Sequence, residues 1–313
     1  MALTWGGDEN VPSLPKTATI AMARTASAQG RSAYQRRTMI EIRHRETSAV
    51  LLRDVTSSLP ERSLRGENLA YAQLDGADLR GVDLRNADLC LASLRGARLV
   101  GANLCGADLC GADFEGADLS DTDFTDARLL YARFVSATLS RGVFLRATME
   151  HANLTGVNAD SARFPRAGLA YATLRGAMLA GADFTGATLA FADLSKANLA
   201  FAELERATLL SANLGGAILE GADLSMTNLD GATLAGAALR GASLYRTLLT
   251  ECVDLHLASG LDELQHLGPS VMDFRTLRTT AAFLPAALLE RLDIPVDVID
   301  WLRAGVQGVT TTV

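Results

Sequence analysis

A five-residue rhythm of apolar and polar positions runs from Leu64 to Leu249 without an insertion or deletion. Of the 38 central positions in that span, 30 are Leu and six are Phe (Phe114, Phe124, Phe134, Phe144, Phe164 and Phe184), with Met149 and Ala159 the departures. Two residues before each centre, between Ala72 and Ala242, Ala fills 30 of 35 positions. A period of five matches neither the 3.6 of a helix nor the 2.0 of a flat strand, so the chain must turn a corner at every repeat. Four such turns close a square coil, with Leu or Phe and the small residue pointing inward. Ala, or in places Gly142, Thr122 or Val82, leaves room for four neighbours at the axis. Gly recurs two residues after the centre, where a corner needs backbone freedom. Asp, Asn, Thr and Ser just before the centres are expected to stack as hydrogen-bonded ladders. Layers at the sheet spacing of ~4.8 Å make a rod about 45 Å long.

Runs such as GADLCGADFEGADLS, from Gly106 to Ser120, resemble the A(D/N)LXX signature of the pentapeptide-repeat family. The resemblance implies an all-β fold, a right-handed quadrilateral β-solenoid. It also implies a binding role, since some members of that family are slender acidic rods that bind DNA gyrase and protect it from quinolones. The string from His266 to Leu302 resembles a segment that follows such repeats in bacterial proteins and links them to signalling or defence effectors such as TIR domains.

The two ends read as caps. From Ile40 to Val55 the pattern IEIRHRETSAVLLRDV alternates into a polar turn and returns, which predicts a β-hairpin before the first coil. After Leu249 the five-residue phase dies, and residues 261–302 show helical spacing punctuated by Gly268, Pro269, Pro285 and Pro295. The expected organisation is a disordered tail over 1–38, with Met22 and Met39 as alternative starts, a hairpin cap over 39–60 and a solenoid over 61–251. A helical C-terminal cap over 252–304 and a tail over 305–313 complete it. Apolar cap residues such as Phe283, Leu288, Ile299 and Trp301 either seal the last coil or join two copies into a homodimer.

Composition narrows the function. Nearly half the residues are apolar yet only 5% are aromatic, which suits thin stacked layers rather than a core of large side chains. A net charge of −7 and a pI near 5.2 argue against a chain that binds nucleic acid directly. No stretch approaches the ~20 apolar residues of a membrane span, and the N-terminus lacks a signal peptide's succession of regions, so the expected location is cytoplasmic and no membrane contact is expected. The four histidines are scattered without zinc-site spacing, and no phosphate-loop string occurs, so neither catalysis nor a metal or other cofactor is expected. Cys90 and Cys110 share a repeat position in adjacent coils, within reach of a disulfide, but reduced thiols are the simpler expectation.

Two outward patterns remain. Tyr71, Leu91, Tyr131, His151, Tyr171 and Phe191 recur at intervals of 20 or 40, so they share one edge of the rod, a candidate protein-binding stripe. The neighbouring edge is almost all Gly. Between Val100 and Ala127 lie seven acids (Asp108, Asp113, Glu115, Asp118, Asp121, Asp123 and Asp126) and no Lys or Arg, followed by an arginine-rich stretch. These patterns favour a non-catalytic scaffold or adaptor for a protein partner, in bacterial signalling or defence on the C-terminal resemblance. The alternative is a DNA-mimicking binder of DNA gyrase, although 17 basic against 22 acidic residues over 62–251 leave a net of only −5.

Overall fold

The computed structural model describes residues 21–23, 39–54, 59, 63–292 and 294–307. From Ser63 onward each outward residue before a centre bridges in parallel to the residue 20 positions later, as Asp88 to Asp108, Asp108 to Arg128 and Arg128 to Thr148. The 20-residue repeat of bridges and the five-residue repeat of corners together give a four-sided β-helix.

Following the backbone amides of one repeat explains its sequence. Around the centre Leu94, the Leu94 amide donates to the Asp113 carbonyl at 2.8 Å and that of Gly96 to Glu115 at 2.9 Å. The Ala97 amide closes the corner onto Leu94 at 3.1 Å, and that of Arg98 reaches back to Ala77 at 2.9 Å. Four amides of five are thereby paired. Around Leu94 the fifth, that of Arg95, reaches Asp75 Oδ1 of the preceding coil at 3.0 Å. Where an Asp or Asn stands one residue before the centre, that side chain takes the amide one residue after it: Cys110 N donates to Asp108 Oδ1 at 3.2 Å, Thr155 N to Asn153 Oδ1 at 3.0 Å and Ala200 N to Asn198 Oδ1 at 3.1 Å. Short polar side chains favour such local backbone bonds, and stacked carboxylates have no proton to share. Side-chain bonds between coils therefore form where a donor meets a free oxygen acceptor, as Asn213 Nδ2 to Asp193 and Ser243 Oγ to Asp223, both at 3.1 Å, and Ser140 Oγ to Asn158 Oδ1 at 3.2 Å.

The interior is the expected stack of Leu, Phe and Ala, almost all fully buried. Phe124, Phe144, Phe164 and Phe184 form one column of rings 4.7–4.8 Å apart. Phe114 and Phe134 stack on the facing side at 5.0 Å and meet the first column edge-on. Where Thr122, Thr227 and Thr247 replace the inner Ala, each hydroxyl donates at 2.8 Å to a carbonyl of the preceding coil, that of Leu99, Leu204 or Leu224. A buried hydroxyl is thus satisfied without a cavity.

At the N-terminal end β1 (Ala21–Ala23), β2 (Met39–His44) and β3 (Val50–Asp54) form a small antiparallel sheet. The end of β2 pairs with β4 (Ala72–Gln73) of the rod through Arg43 and His44. The rest of the segment expected to be an N-terminal tail lies outside the described residues, as do residues 308–313.

At the other end the stack runs past Leu249 in irregular steps, pairing Ala238 with Ser259 and Leu248 with Val271. There β5 (Ser243–Leu244) runs parallel to β6 (Gln265–His266). Helices α1 (Phe274–Thr280), α2 (Ala286–Arg291) and α3 (Val296–Gln307) follow. Asp273 caps α1 by accepting the Thr276 amide at 3.0 Å, and it also accepts the Glu251 amide at 3.3 Å, which fastens the helix to the last regular coil. Leu255, Leu264 and Leu288 close over Leu234, Leu239 and Leu244 around an apolar void of about 10 Å³. Among the described residues no helix is long and apolar enough to cross a membrane.

Candidate functional site

The six residues of the candidate stripe all stand at corners, with φ between 58° and 60°. Glycine occupies that left-handed region freely and a large side chain does not. The structure divides the six into two groups. Tyr71 and Leu91 are half-buried beside the N-terminal hairpin: His44 stacks on the Tyr71 ring at 5.0 Å, the Arg45 amide donates to the Tyr71 carbonyl at 2.8 Å, and Arg45 Nη1 donates to that of Leu91 at 2.9 Å. Gly111 then interrupts the column.

Beyond it Tyr131, His151, Tyr171 and Phe191 form an unbroken stack, each ring centroid 5.0 Å from the next and tilted by 13° or less. Tyr131, Tyr171 and Phe191 are 59%, 52% and 47% exposed. Within this stack the faces are turned to one another, so ring edges and two phenol hydroxyls meet solvent. The exposed edge is therefore four rings long, because the hairpin covers the lower two positions, a contact that spacing within the repeats cannot reveal.

A further exposed ring lies off this stripe. Phe201, 72% exposed, stands on the diagonally opposite corner over Gly221, where an added Cβ would come within 2.7 Å of the ring. It borders an open groove of about 350 Å³ with Thr185, Glu203, Glu205 and Asp223. Its position in the 20-residue register was available as a signal, but a lone ring in its column has no repeat to draw the eye.

The acidic run looks different once coiled. Arg141 grips Asp121 through two bonds of 2.8 and 2.7 Å, Arg146 grips Asp126 at 2.7 and 2.6 Å, and Arg128 reaches Asp108 at 2.7 Å. Glu115 lies between Arg95 at 2.9 Å and Arg133 at 3.1 Å, and Asp113 lies within 3.7 Å of both. Asp118 and Asp123 accept instead from the amides and hydroxyls of Ser120 and Thr125. The guanidinium hydrogen bonds hold Asp121 and Asp126 below the usual carboxylate range. The basic stretch read as a separate section of the rod stacks directly on the acidic one and neutralises much of it.

The thiols are poorly placed for chemistry. Burial, followed by the hydrogen bond and charge of Asp108, pushes Cys110 up to about 11, and burial raises Cys90 as well. All four cysteines are free. Among the described residues no group of His, Cys, Asp and Glu is arranged to hold a metal ion.

The chain matches the sequence profile of pentapeptide repeats in eight copies, across residues 72–109, 106–141, 167–200, 187–225 and 227–256. Among solved structures it is similar to HetL, a pentapeptide repeat protein involved in heterocyst differentiation regulation from the cyanobacterium Nostoc, at 33% identity over 69% of this chain and 92% of HetL, with a TM-score of 0.36. QnrB1, a plasmid-mediated fluoroquinolone resistance protein, is similar at 20% identity over 65% of this chain and 94% of its own, with a TM-score of 0.41. A search of curated proteins finds no match. With the repeat profile matched across more than half of its residues, the chain belongs to the pentapeptide-repeat family, a repeat scaffold built as a right-handed β-helix.

Proposed function

We propose that this chain is a non-catalytic adaptor and that the corner formed by Tyr131, His151, Tyr171 and Phe191 docks a protein partner. The observation that carries the reading is the stack itself: four large rings at left-handed corners, solvent-facing, beside a column where Gly156 and Gly176 present no side chain and Ser136 and Lys196 flank the two ends. Aromatic side chains that are rigid and half-apolar are the usual anchors of interfaces. Stacking makes these rings rigid before any partner arrives, which lowers the entropic cost of binding.

The rod interior is filled by Leu, Phe and Ala and leaves no cavity for a substrate. The reading of the rod as a duplex mimic that binds DNA gyrase draws on its acidic run, and arginine pairing of Asp108, Asp113, Glu115, Asp121 and Asp126 weakens that support. DNA presents one charge per ~1.7 Å of axis, unpaired by its own chain. Placement in bacterial signalling or defence rests on the resemblance of the His266–Leu302 string alone.

The test is capture from a native lysate on the full chain, beside a Tyr131→Ser/Tyr171→Ser variant. A protein retained by the wild type and lost by the variant supports the aromatic corner. Equal recovery by both removes it, and gyrase among proteins retained by both revives the mimic.

A further inference from the structure

We propose that Gly111 is a missing rung of the aromatic ladder, and that the slot it leaves receives one neutral aromatic side chain of a protein partner. This rests on the docking role of the same corner and narrows it to a point of entry. From Tyr131 upward the rungs repeat every 5.0 Å. Tyr171 has a ring against each face, His151 below and Phe191 above. Tyr131 has a ring against one face only, and its other face looks down the column to Gly111. The two tyrosines differ accordingly, at 59% and 52% exposed. Above Phe191 the next rung, Ser211, carries a side chain, whereas Gly111 carries none.

The side chain below the gap is Leu91, two layers or about 10 Å beneath Tyr131. Carbon atoms pack at about 3.5–4 Å, so a flat ring sandwiched between two neighbours needs roughly 7–8 Å. One ring fits and two do not. The obstacle is the tip of Leu91, whose Cδ2 lies 2.7 Å from where a Cβ on Gly111 would be, and a terminal methyl can turn aside.

Charge selects the kind of ring. Arg128 is paired to Asp108 at 2.7 Å on one side of the corner, and Arg133 to Glu115 at 3.1 Å on the other. Asp108 and Glu115 are thus already held by guanidinium groups, and Asp88 in the coil below accepts the Cys90 amide at 3.0 Å. The Arg45 guanidinium lies against the Leu91 carbonyl beneath the gap, so an incoming guanidinium would meet like charge. The net charge of −7 opposes the phosphates that would accompany a nucleobase. A neutral aromatic side chain is what remains, stacked on Tyr131 as Tyr131 is stacked on His151.

The probe is N-acetyl-tryptophanamide, titrated into the full chain while the Leu91 methyl and Tyr131 ring signals are followed by NMR. The expected result is saturable shifts at both residues. In Gly111→Tyr, whose own ring fills the rung, binding should weaken at least tenfold. Tyr131→Leu, which removes the stacking face without adding bulk at Gly111, should weaken it similarly, and unchanged melting confirms that each variant is folded. Gly111→Asn should bind within about threefold of wild type, since Asn86 already holds such a corner at φ 56°. Shifts that persist in folded Gly111→Tyr, that centre on Phe201, or that are absent at tens of millimolar probe overturn the proposal. If a partner is lost by Tyr131→Ser/Tyr171→Ser yet kept by Gly111→Tyr, the corner docks partners and the slot takes no part.

Discussion

The Asn198 side chain accepts one hydrogen bond, donated by the amide of Ala200 to its Oδ1 at 3.1 Å. That amide is the member of each repeat for which the coil supplies no backbone acceptor. Losing a hydrogen bond of this kind costs about 1 kcal/mol net. Asn198→Ala should therefore lower stability to denaturant by about that much and speed exchange of the Ala200 amide, while Asn198→Asp, which keeps the acceptor, should lose less than half as much. Equal losses from both would mean that the side chain serves no amide. The preference for Asp, Asn, Thr and Ser before the centres is legible in the sequence, but the use of Asp and Asn there is not, because a period counts residues and leaves the hydrogen-bond donors uncounted. Thr122 is similar: a hydroxyl in an alanine column looks like a tolerated exception until its bond to Leu99 of the coil below is seen.

At the scale of the coil, the neighbours of a charge lie 20 residues away and not beside it in the chain. Twenty residues separate Asp121 from Arg141 and Asp126 from Arg146, and in a four-sided coil that separation means direct stacking. The aromatic stripe is visible in this register, whereas stretches of acid and base along the chain conceal the pairing, because neighbours in sequence stand on different faces of the coil. The hairpin's cover over Tyr71 and Leu91 was hidden for a different reason, since the 20-residue register relates only residues inside the repeats. The pairing has a pH signature. Hydrogen bonds from Arg141 and Arg146 depress Asp121 and Asp126, and Arg85 holds Asp83 at about 2. A carboxyl depressed in the folded state contributes stability that is present above its unfolded pKa of about 3.9 and is lost as pH falls through the folded value. The melting temperature of the wild type should thus fall between about pH 4 and pH 2, and more gently in Arg141→Gln/Arg146→Gln. Carboxyl NMR should show Asp121 and Asp126 of that variant titrating nearer to 3.9. Unmoved titrations would mean that these pairs do not persist in solution.

For the whole molecule, the unsolved problem of a solenoid is its ends, where stacked layers stop and backbone groups lose their partners. Here Leu255, Leu264 and Leu288 lie over the last inward leucines, and Asp273 ties α1 to the amide of Glu251. A chain ending at Glu251 would lay bare Leu234, Leu239, Leu244 and Leu249 together with one unpaired edge per face. Light scattering should then find large, concentration-dependent species in the truncated protein and a single defined species in the full chain. A truncated protein that stays monodisperse would show that the C-terminal residues do not seal the rod. The outer surface of the cap is a separate matter, because Phe274 and Trp301 stack 6.4 Å apart while remaining exposed. If two copies join end to end, that pair is the natural contact, and Phe274→Ser/Trp301→Ser should halve the scattering mass while leaving the melting temperature unchanged. A full chain that is already monomeric would assign the helices to sealing alone, and a double variant that stays dimeric would move the contact elsewhere on the rod.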